Sequence, residues 1–395
     1  MILVVIVVAL SAVQVFRPIP AMALANNVPS TYRVPGQLQV NWPSEGAAAL
    51  SVSGVGLMGE KNGNQQAPIA SLTKMMTAYL VLKHHPLAYG QQGPVLTVTP
   101  QDVQTYQADY NNGDSVVKVA VGEKLSEYQL LEALLLPSGD NIATLLANWV
   151  DGNTTNFIRE MNQTAKALGM TNTHYADVAG VNPLTVSTAL DQLKIAEIDM
   201  QNQVFRQIVA SAQVSLPVAG LQYNVDYDVG HDGIVGIKTG STPQAGGNFV
   251  FARYATVGAN QVLVIGDVMG QQAGNPLMTA LAYGKSLASE AIANLRQVKV
   301  VASGNVDATI DAPWAKQVSA AGTSGVNLVG WPGMVVHTTL QSDLSGHSVK
   351  AGQIVGHLIV STNGERVPVS LKATKAILPP SLVWKLERVP SASHP

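Results

Sequence analysis

Residues 233–270 read GIVGIKTGSTPQAGGNFVFARYATVGANQVLVIGDVMG. Three strand-like runs lie in this stretch: Gly233 to Ile237, Gly247 to Tyr254 and Gln261 to Met269. Each is bounded by Gly, Pro or Asn, and no helical segment separates them. Strands that follow one another this directly pair antiparallel. The expected fold is therefore α/β in the α+β sense: a central antiparallel sheet flanked by helices.

Helical patterns surround the strands. Residues 187–200 form a helix capped by Ser187 or Thr188. Residues 156–170 place Phe157, Met161, Ala165 and Leu168 on one side. Further upstream, Ser126 precedes a helix over Glu127 to Leu136. Pro137-Ser138-Gly139 then interrupts, and a second apolar helix begins near Asp140 or Asn141. Ser71 opens another helix. Leu50 to Leu57 alternates ahead of a Gly/Asn-rich turn at 59–64, which reads as a hairpin, and VLTVTPQDV gives a short strand ending at Pro100. Downstream, 276–295 is a long helix.

Beyond residue 297 the pattern changes to short alternating β segments and helical periodicity stops. Asn363-Gly364 between apolar runs marks a hairpin. This is a small all-β domain, a sandwich over 297–378, followed by a short tail, 379–395, in which Pro390 and Pro395 limit any helix.

Composition narrows the function. The 395 residues call for two domains. Charged residues make up 12%, about half the usual share, and the net charge is −2. No basic run exists to attract nucleic acid. The absence of cysteine excludes a thiol nucleophile, disulfides and Cys-based metal sites. The eight histidines show no ligand-like spacing, which disfavours a zinc hydrolase. Ile2 to Phe16 is apolar, uncharged and short of the ~20 residues that span a bilayer. Ala23-Leu24-Ala25 has the small–x–small form of a leader-peptidase site. Residues 1–25 are accordingly expected to be an export signal, although no Lys or Arg precedes the apolar run.

The chemistry rests on three short motifs. Ser71 and Lys74 stand one helical turn apart, so a buried, neutral lysine could take the seryl proton. Taken alone, the pair reads better as a helix-capping serine and a surface lysine. Ser138 follows in a turn between helices. Lys238-Thr239-Gly240 lies on a strand, where an edge position would offer a cation, a hydroxyl and room for a peptide ending in a carboxylate. This ordered set is the one shared by class A β-lactamases and penicillin-binding proteins.

With MNQTAKALGMTNTHYADVAG (161–180), STALDQLKIA, GIKTGSTPQAGGNFV and the glycines of KAGQIVGHL (Gly352, Gly356), the chain resembles the low-molecular-weight penicillin-binding proteins of D-alanyl-D-alanine carboxypeptidase type over about residues 40–377. The resemblance implies a catalytic domain over 26–296. It implies that Ser71 is the acylated nucleophile, Lys74 the base and Ser138 a proton relay. Lys238 and Thr239 would hold the substrate carboxylate, beside Gly240. The N–H groups of Ser71 and Ser241 would form the oxyanion hole, and the resemblance implies no metal or organic cofactor. The substrate would be a peptidoglycan stem peptide ending in D-Ala-D-Ala, with β-lactams as inhibitors, at the outer face of the cytoplasmic membrane or in the cell envelope. Peripheral membrane or cell-wall association would follow.

Three departures stand against the family pattern. Its second motif reads Ser-x-Asn, whereas here Asp140 holds the third position and Asn141 the next; either could take the Asn role. No arginine lies between Arg253 and Arg296. No C-terminal amphipathic helix is evident. A β-lactamase is disfavoured, because no Glu-x-x-Leu-Asn stretch lies between Ser138 and Lys238. The remaining rivals are a weak or inactive module that binds cell-wall peptide, and an endopeptidase acting on cross-links.

Overall fold

A computed structural model describes residues 1–388. The chain divides into two units, one over 38–295 and one made of residues 1–37 with residues 296 onward.

The first unit is built on a five-stranded antiparallel sheet. Its strands are β1 (Ala47–Val52), β2 (Gly56–Lys61), β3 (Ile234–Thr242), β4 (Gly246–Val257) and β5 (Asn260–Gln271), in the order β3-β4-β5-β1-β2. β3, β4 and β5 follow without intervening helices, as expected, and run longer than the sequence suggests. β3 is an edge strand, with Lys238 opposite Val250 and Gly240 opposite Asn248.

The helices are α1 (Thr73–His84), α2 (Pro100–Asn112), α3 (Glu127–Leu135), α4 (Asp140–Asp151), α5 (Thr154–Ala167), α6 (Ala189–Asp199), α7 (Gln203–Val209) and α8 (Pro276–Asn294). α8 covers one face of the sheet over Phe249 and Phe251. It comes close enough that a Cβ at Gly284 would lie 2.5 Å from the Phe249 ring. α6 packs on β5 and β1, and α1 packs against α3, α4 and α6. The main apolar core lies here, with Leu72, Met75, Leu80, Leu131, Leu134, Ile142 and Phe157 fully buried.

Local chemistry sets the helix starts. Ser126 caps α3 in a reciprocal box with Gln129, and Thr188 caps α6 through the Asp191 N–H. Gly139, in an extended conformation, precedes α4.

The structure corrects three local expectations. The hairpin of β1 and β2 turns at Ser53-Gly54-Val55, with Gly54 at φ +77°, and not at 59–64. The alternation from Leu50 to Leu57 therefore spans the turn itself. Pro100 starts α2 and does not merely end a strand. Thr99 and Asp102 form a capping box around Pro100 at the first helical position, where its missing N–H costs nothing. Ser71 lies in a single 3₁₀ turn, Ala70–Leu72, that runs directly into α1.

The second unit is all β apart from two helices. A seven-stranded sheet contains Val306–Asp311, Val318–Gly322, Val335–Ser342, Ile354–Ser361 and Arg366–Ala373. The last two pair across the Asn363-Gly364 turn. Arg296–Val301 and Val326–Gly330 form a separate two-stranded sheet. The two edges of the large sheet come from the N-terminus: Ala23–Asn26 pairs with Val306–Asp311, and Thr31–Arg33 pairs with Val335–Ser342. Residues 26–37, expected with the first domain, thus belong to this unit. Ile2–Phe16 is a helix, and Leu382–Glu387 forms one short helix within the expected tail. Pro390 and Pro395 lie outside the described residues. Among the described residues, no helix is long and apolar enough to cross a membrane.

Candidate active site

Four segments of the first unit converge on Lys74. The first turn of α1 carries it, and the residue is fully buried. Its ammonium donates to Ser71 Oγ at 2.8 Å, Asp140 Oδ1 at 2.5 Å and the Ala179 carbonyl at 3.1 Å. All three N–H donors of the amine are therefore engaged. Ser71 stays partly exposed, open to a ligand.

The backbone around Ser71 is tightly held. Ala70 has φ +48°, an uncommon conformation for a residue with a Cβ. Gly180, at φ +89°, lies so close that a Cβ there would sit 1.8 Å from the Ala70 carbonyl oxygen. From the other side, a Cβ at Gly240 would lie 2.9 Å from the backbone nitrogen of Ser71. Gly240 thus lets the edge strand β3 press onto the backbone of Ser71, a stricter demand than room for a ligand.

The loop that supplies the Ala179 carbonyl is organised by Asp177. Its Oδ2 accepts from the N–H groups of Gly180, Val181 and Asn182 at 2.8, 2.7 and 3.2 Å, and its Oδ1 from Thr185 Oγ1 at 2.5 Å. Thr77 Oγ1 donates to the Val178 carbonyl at 2.7 Å and ties the loop to α1.

Ser138 occupies the turn between α3 and α4 at φ +65°. It is buried, and its Oγ has no hydrogen-bond partner among the described residues. An unpartnered buried hydroxyl costs about 1–3 kcal/mol. Asp140 and Asn141 then diverge. Asp140 faces Lys74, and its second oxygen accepts from Ser115 N–H at 3.0 Å. Asn141 forms a two-way pair with the backbone of Val117, at 2.9 Å in each direction. The amide is taken up by the wall of the site, and the carboxylate stands at the amine.

Lys238 and Thr239 on β3 are both buried. Burial holds the Lys238 ammonium well below its ordinary value, and the charge of Lys74 adds to that; Asp140 and Asp226 act in the opposite direction. Its Nζ donates to the Thr239 carbonyl at 3.0 Å. Ser241 follows, exposed, opposite Gly247.

Sequence reasoning missed Asp177, Ala179, Ser115 and Asp226. The carbonyl of Ala179 and the N–H of Ser115 carry no residue-type signal. Asp177 and Asp226 do, but only contacts distant in sequence reveal them. A metal has no evident place among these groups: the nearest acid, Asp140, is already paired with an ammonium.

A family model described as D-alanyl-D-alanine carboxypeptidase matches residues 49–273. A D-alanyl-D-alanine carboxypeptidase of Streptomyces sp. (strain K15) is 32% identical over 222 residues, covering 51% of this chain and 73% of that protein. The crystal structure of the Streptomyces K15 DD-transpeptidase superposes with a TM-score of 0.56 at 27% identity, over 64% of this chain and 100% of that one. The carboxypeptidase DacD from Francisella tularensis shares the fold over 87% of this chain and 96% of its own, with a TM-score of 0.64 at 20% identity. On the family match and the site geometry together, the chain belongs to the D-alanyl-D-alanine carboxypeptidase family.

Proposed function

We propose that Ser71 is the acylated nucleophile of a serine-type D-Ala-D-Ala carboxypeptidase acting on peptidoglycan stem peptides. The observation that carries this reading is the buried Lys74 amine 2.8 Å from Ser71 Oγ. Lys74 in its neutral form takes the seryl proton as Oγ attacks the carbonyl carbon of the penultimate D-Ala. The N–H groups of Ser71 and Ser241 receive the developing oxyanion. Ser138 Oγ, free of other partners, passes the proton to the leaving D-Ala amine. The tetrahedral intermediate collapses to a seryl ester, which water then hydrolyses. Lys238 and Thr239 hold the terminal carboxylate, and Gly240 lets β3 lie close to the acyl group. β-Lactams enter the same site and acylate Ser71.

One observation favours a second reading. The 2.5 Å ion pair between Asp140 and Lys74 ties up the amine that the first reading uses as its base. A chain locked in that state would bind cell-wall peptide and turn it over weakly. Release of D-Ala from a stem pentapeptide by wild type, lost in Ser71→Ala, establishes the carboxypeptidase. Pentapeptide binding with no release at any pH establishes the weak binder.

The substrate lies outside the cytoplasmic membrane, so we place the working chain in the cell envelope, exported by residues 1–25. Removal after Ala25 would strip Ala23, Leu24 and Ala25 from the sheet edge and leave Thr31–Arg33 paired. N-terminal sequencing of the mature protein tests this: a start at Asn26 supports it, and an intact Ile2–Phe16 segment contradicts it.

A further inference from the structure

Three side chains from three helices meet at a second place in the first unit. His84 is the last residue of α1, Asp151 the last of α4, and Glu160 lies within α5. One imidazole nitrogen and one oxygen from each carboxyl all lie within 4.8 Å of one another. His84 Nε2 is 2.8 Å from Glu160 Oε1 and 2.9 Å from Oε2. Zinc at about 2.0–2.1 Å from tetrahedral donors spaces them about 3.3 Å apart, so each donor need shift by about 1 Å at most.

The surrounding structure holds the three in place. His85 stacks on Trp149 with ring centroids 3.8 Å apart, which fixes the end of α1 against α4 and leaves His84 facing Glu160. Asn156 donates from its side chain to the Asp151 carbonyl at 3.2 Å. Asn153 Oδ1 accepts the Asn156 N–H at 2.9 Å and caps α5, so the turn between α4 and α5 is tied at both ends.

The charges call for a cation. Burial pushes the Asp151 carboxyl up and the charge of Glu160 adds to that, while His84 and Arg159 act in the opposite direction. The cation at hand is Lys83, whose ammonium donates to Glu160 Oε1 at 3.0 Å. Its side chain is 47% exposed, so it can swing into water and give up that place. A cavity of about 460 Å³, lined by Lys83, Asp151, Arg159, Glu160 and Gln163 among others, opens on the two carboxyls and provides an entry path.

We propose that His84, Asp151 and Glu160 bind a divalent transition-metal ion of the zinc type, which clips α1, α4 and α5 together. One imidazole with two carboxylates suits zinc, whereas magnesium and calcium take oxygen donors. Three protein donors leave the fourth position to water. Ten residues of α1, about 15 Å, separate His84 from Lys74, so the ion holds helices and does not touch the substrate. The site stands independently of the reaction proposed above.

The test is zinc titration of the full chain against a chromophoric chelator, with wild type, His84→Ala and Asp151→Asn. Wild type should take up one zinc ion with a dissociation constant of about 1–10 µM. Each variant should weaken that by at least about tenfold. Asp151→Asn carries the test alone if His84→Ala does not fold. His357, 3.2 Å from Asp343, is the comparison, and His357→Ala should bind as wild type does. Saturating zinc should also raise the thermal midpoint of wild type and leave that of the site variants unchanged. No uptake by wild type, equal uptake by wild type and the site variants, or a loss confined to His357→Ala overturns the proposal.

Discussion

The centre of the site is one amine with three acceptors, Ser71 Oγ, Asp140 Oδ1 and the Ala179 carbonyl. Two of these hold a proton without using it. Asp140 is the chemically decisive one, because its carboxylate holds the amine in a buried ion pair at 2.5 Å. Asp140→Asn removes that pair and should change the acylation rate by about tenfold, read as penicillin labelling of Ser71. An unchanged rate would show that Asp140 does not govern Lys74. Lys74→Ala removes the proposed base and should lower acylation by at least about 10²-fold; binding of the uncleaved peptide should survive. The sequence motifs identified Ser71, Lys74, Ser138 and Lys238 as candidates because residue type and order sufficed. They could not choose between Asp140 and Asn141. That choice depends on the turn of α4, which points one side chain at Lys74 and the next at Val117.

At the scale of elements, the site depends on two glycines that bring backbones into contact. Gly180 and Gly240 press on the 3₁₀ turn around Ser71 from opposite segments. Gly180→Ala should unfold the loop or displace Ala70, since a Cβ 1.8 Å from a carbonyl oxygen and a φ of +89° are both forbidden to alanine. Acylation should fall more than stability, read by comparing penicillin labelling with thermal midpoints; an equal loss of both would mean that only the fold was damaged. Asp177→Ala removes the acceptor for three backbone N–H groups and a threonine hydroxyl, and should cost about 1–3 kcal/mol in denaturant unfolding. A loss below about 0.5 kcal/mol would show that water replaces the carboxylate there. The elements themselves were unevenly legible. β3, β4 and β5 announce themselves by apolar runs between turn residues. α2 does not, because QDVQTYQADYNN fully buries no residue and only Val103 and Tyr106 pack, half-buried, against the core. Its only signal is the Thr-Pro-x-Asp start, a capping box read too easily as a strand end. The β1–β2 turn was misplaced because alternation runs straight across Ser53-Gly54.

Across the whole molecule, several acids are buried without counter-charges. Burial pushes Glu127 and Glu132 from 4.5 to about 7, and it drives Asp199 and Asp267 well above the ordinary range. Glu127 is fully buried and both its oxygens lack partners among the described residues. Below about 4.5 the folded and unfolded chains both hold this proton, and its stabilisation is complete. As pH rises through about 7 the unfolded chain has already ionised and the folded one resists, so stability falls. The protein should be more stable at pH 5 than at pH 8. Glu127→Gln should reduce that difference by about 1–3 kcal/mol, read from denaturant midpoints at the two values. Equal slopes for wild type and variant would contradict it. The second unit's character was visible from the loss of helical period after 297. The recruitment of residues 23–33 to its sheet edges was not, because three- and four-residue strands carry too little pattern to assign a partner nearly three hundred positions away.

The central claim is that Ser71, aimed by its turn and served by Lys74, forms a covalent acyl-enzyme. Intact mass spectrometry of the chain with benzylpenicillin, followed by peptide mapping, tests it most directly. The account predicts one stable adduct on Ser71 that is absent in Ser71→Ala. No adduct at acidic or neutral pH, or an adduct on another residue, would contradict it.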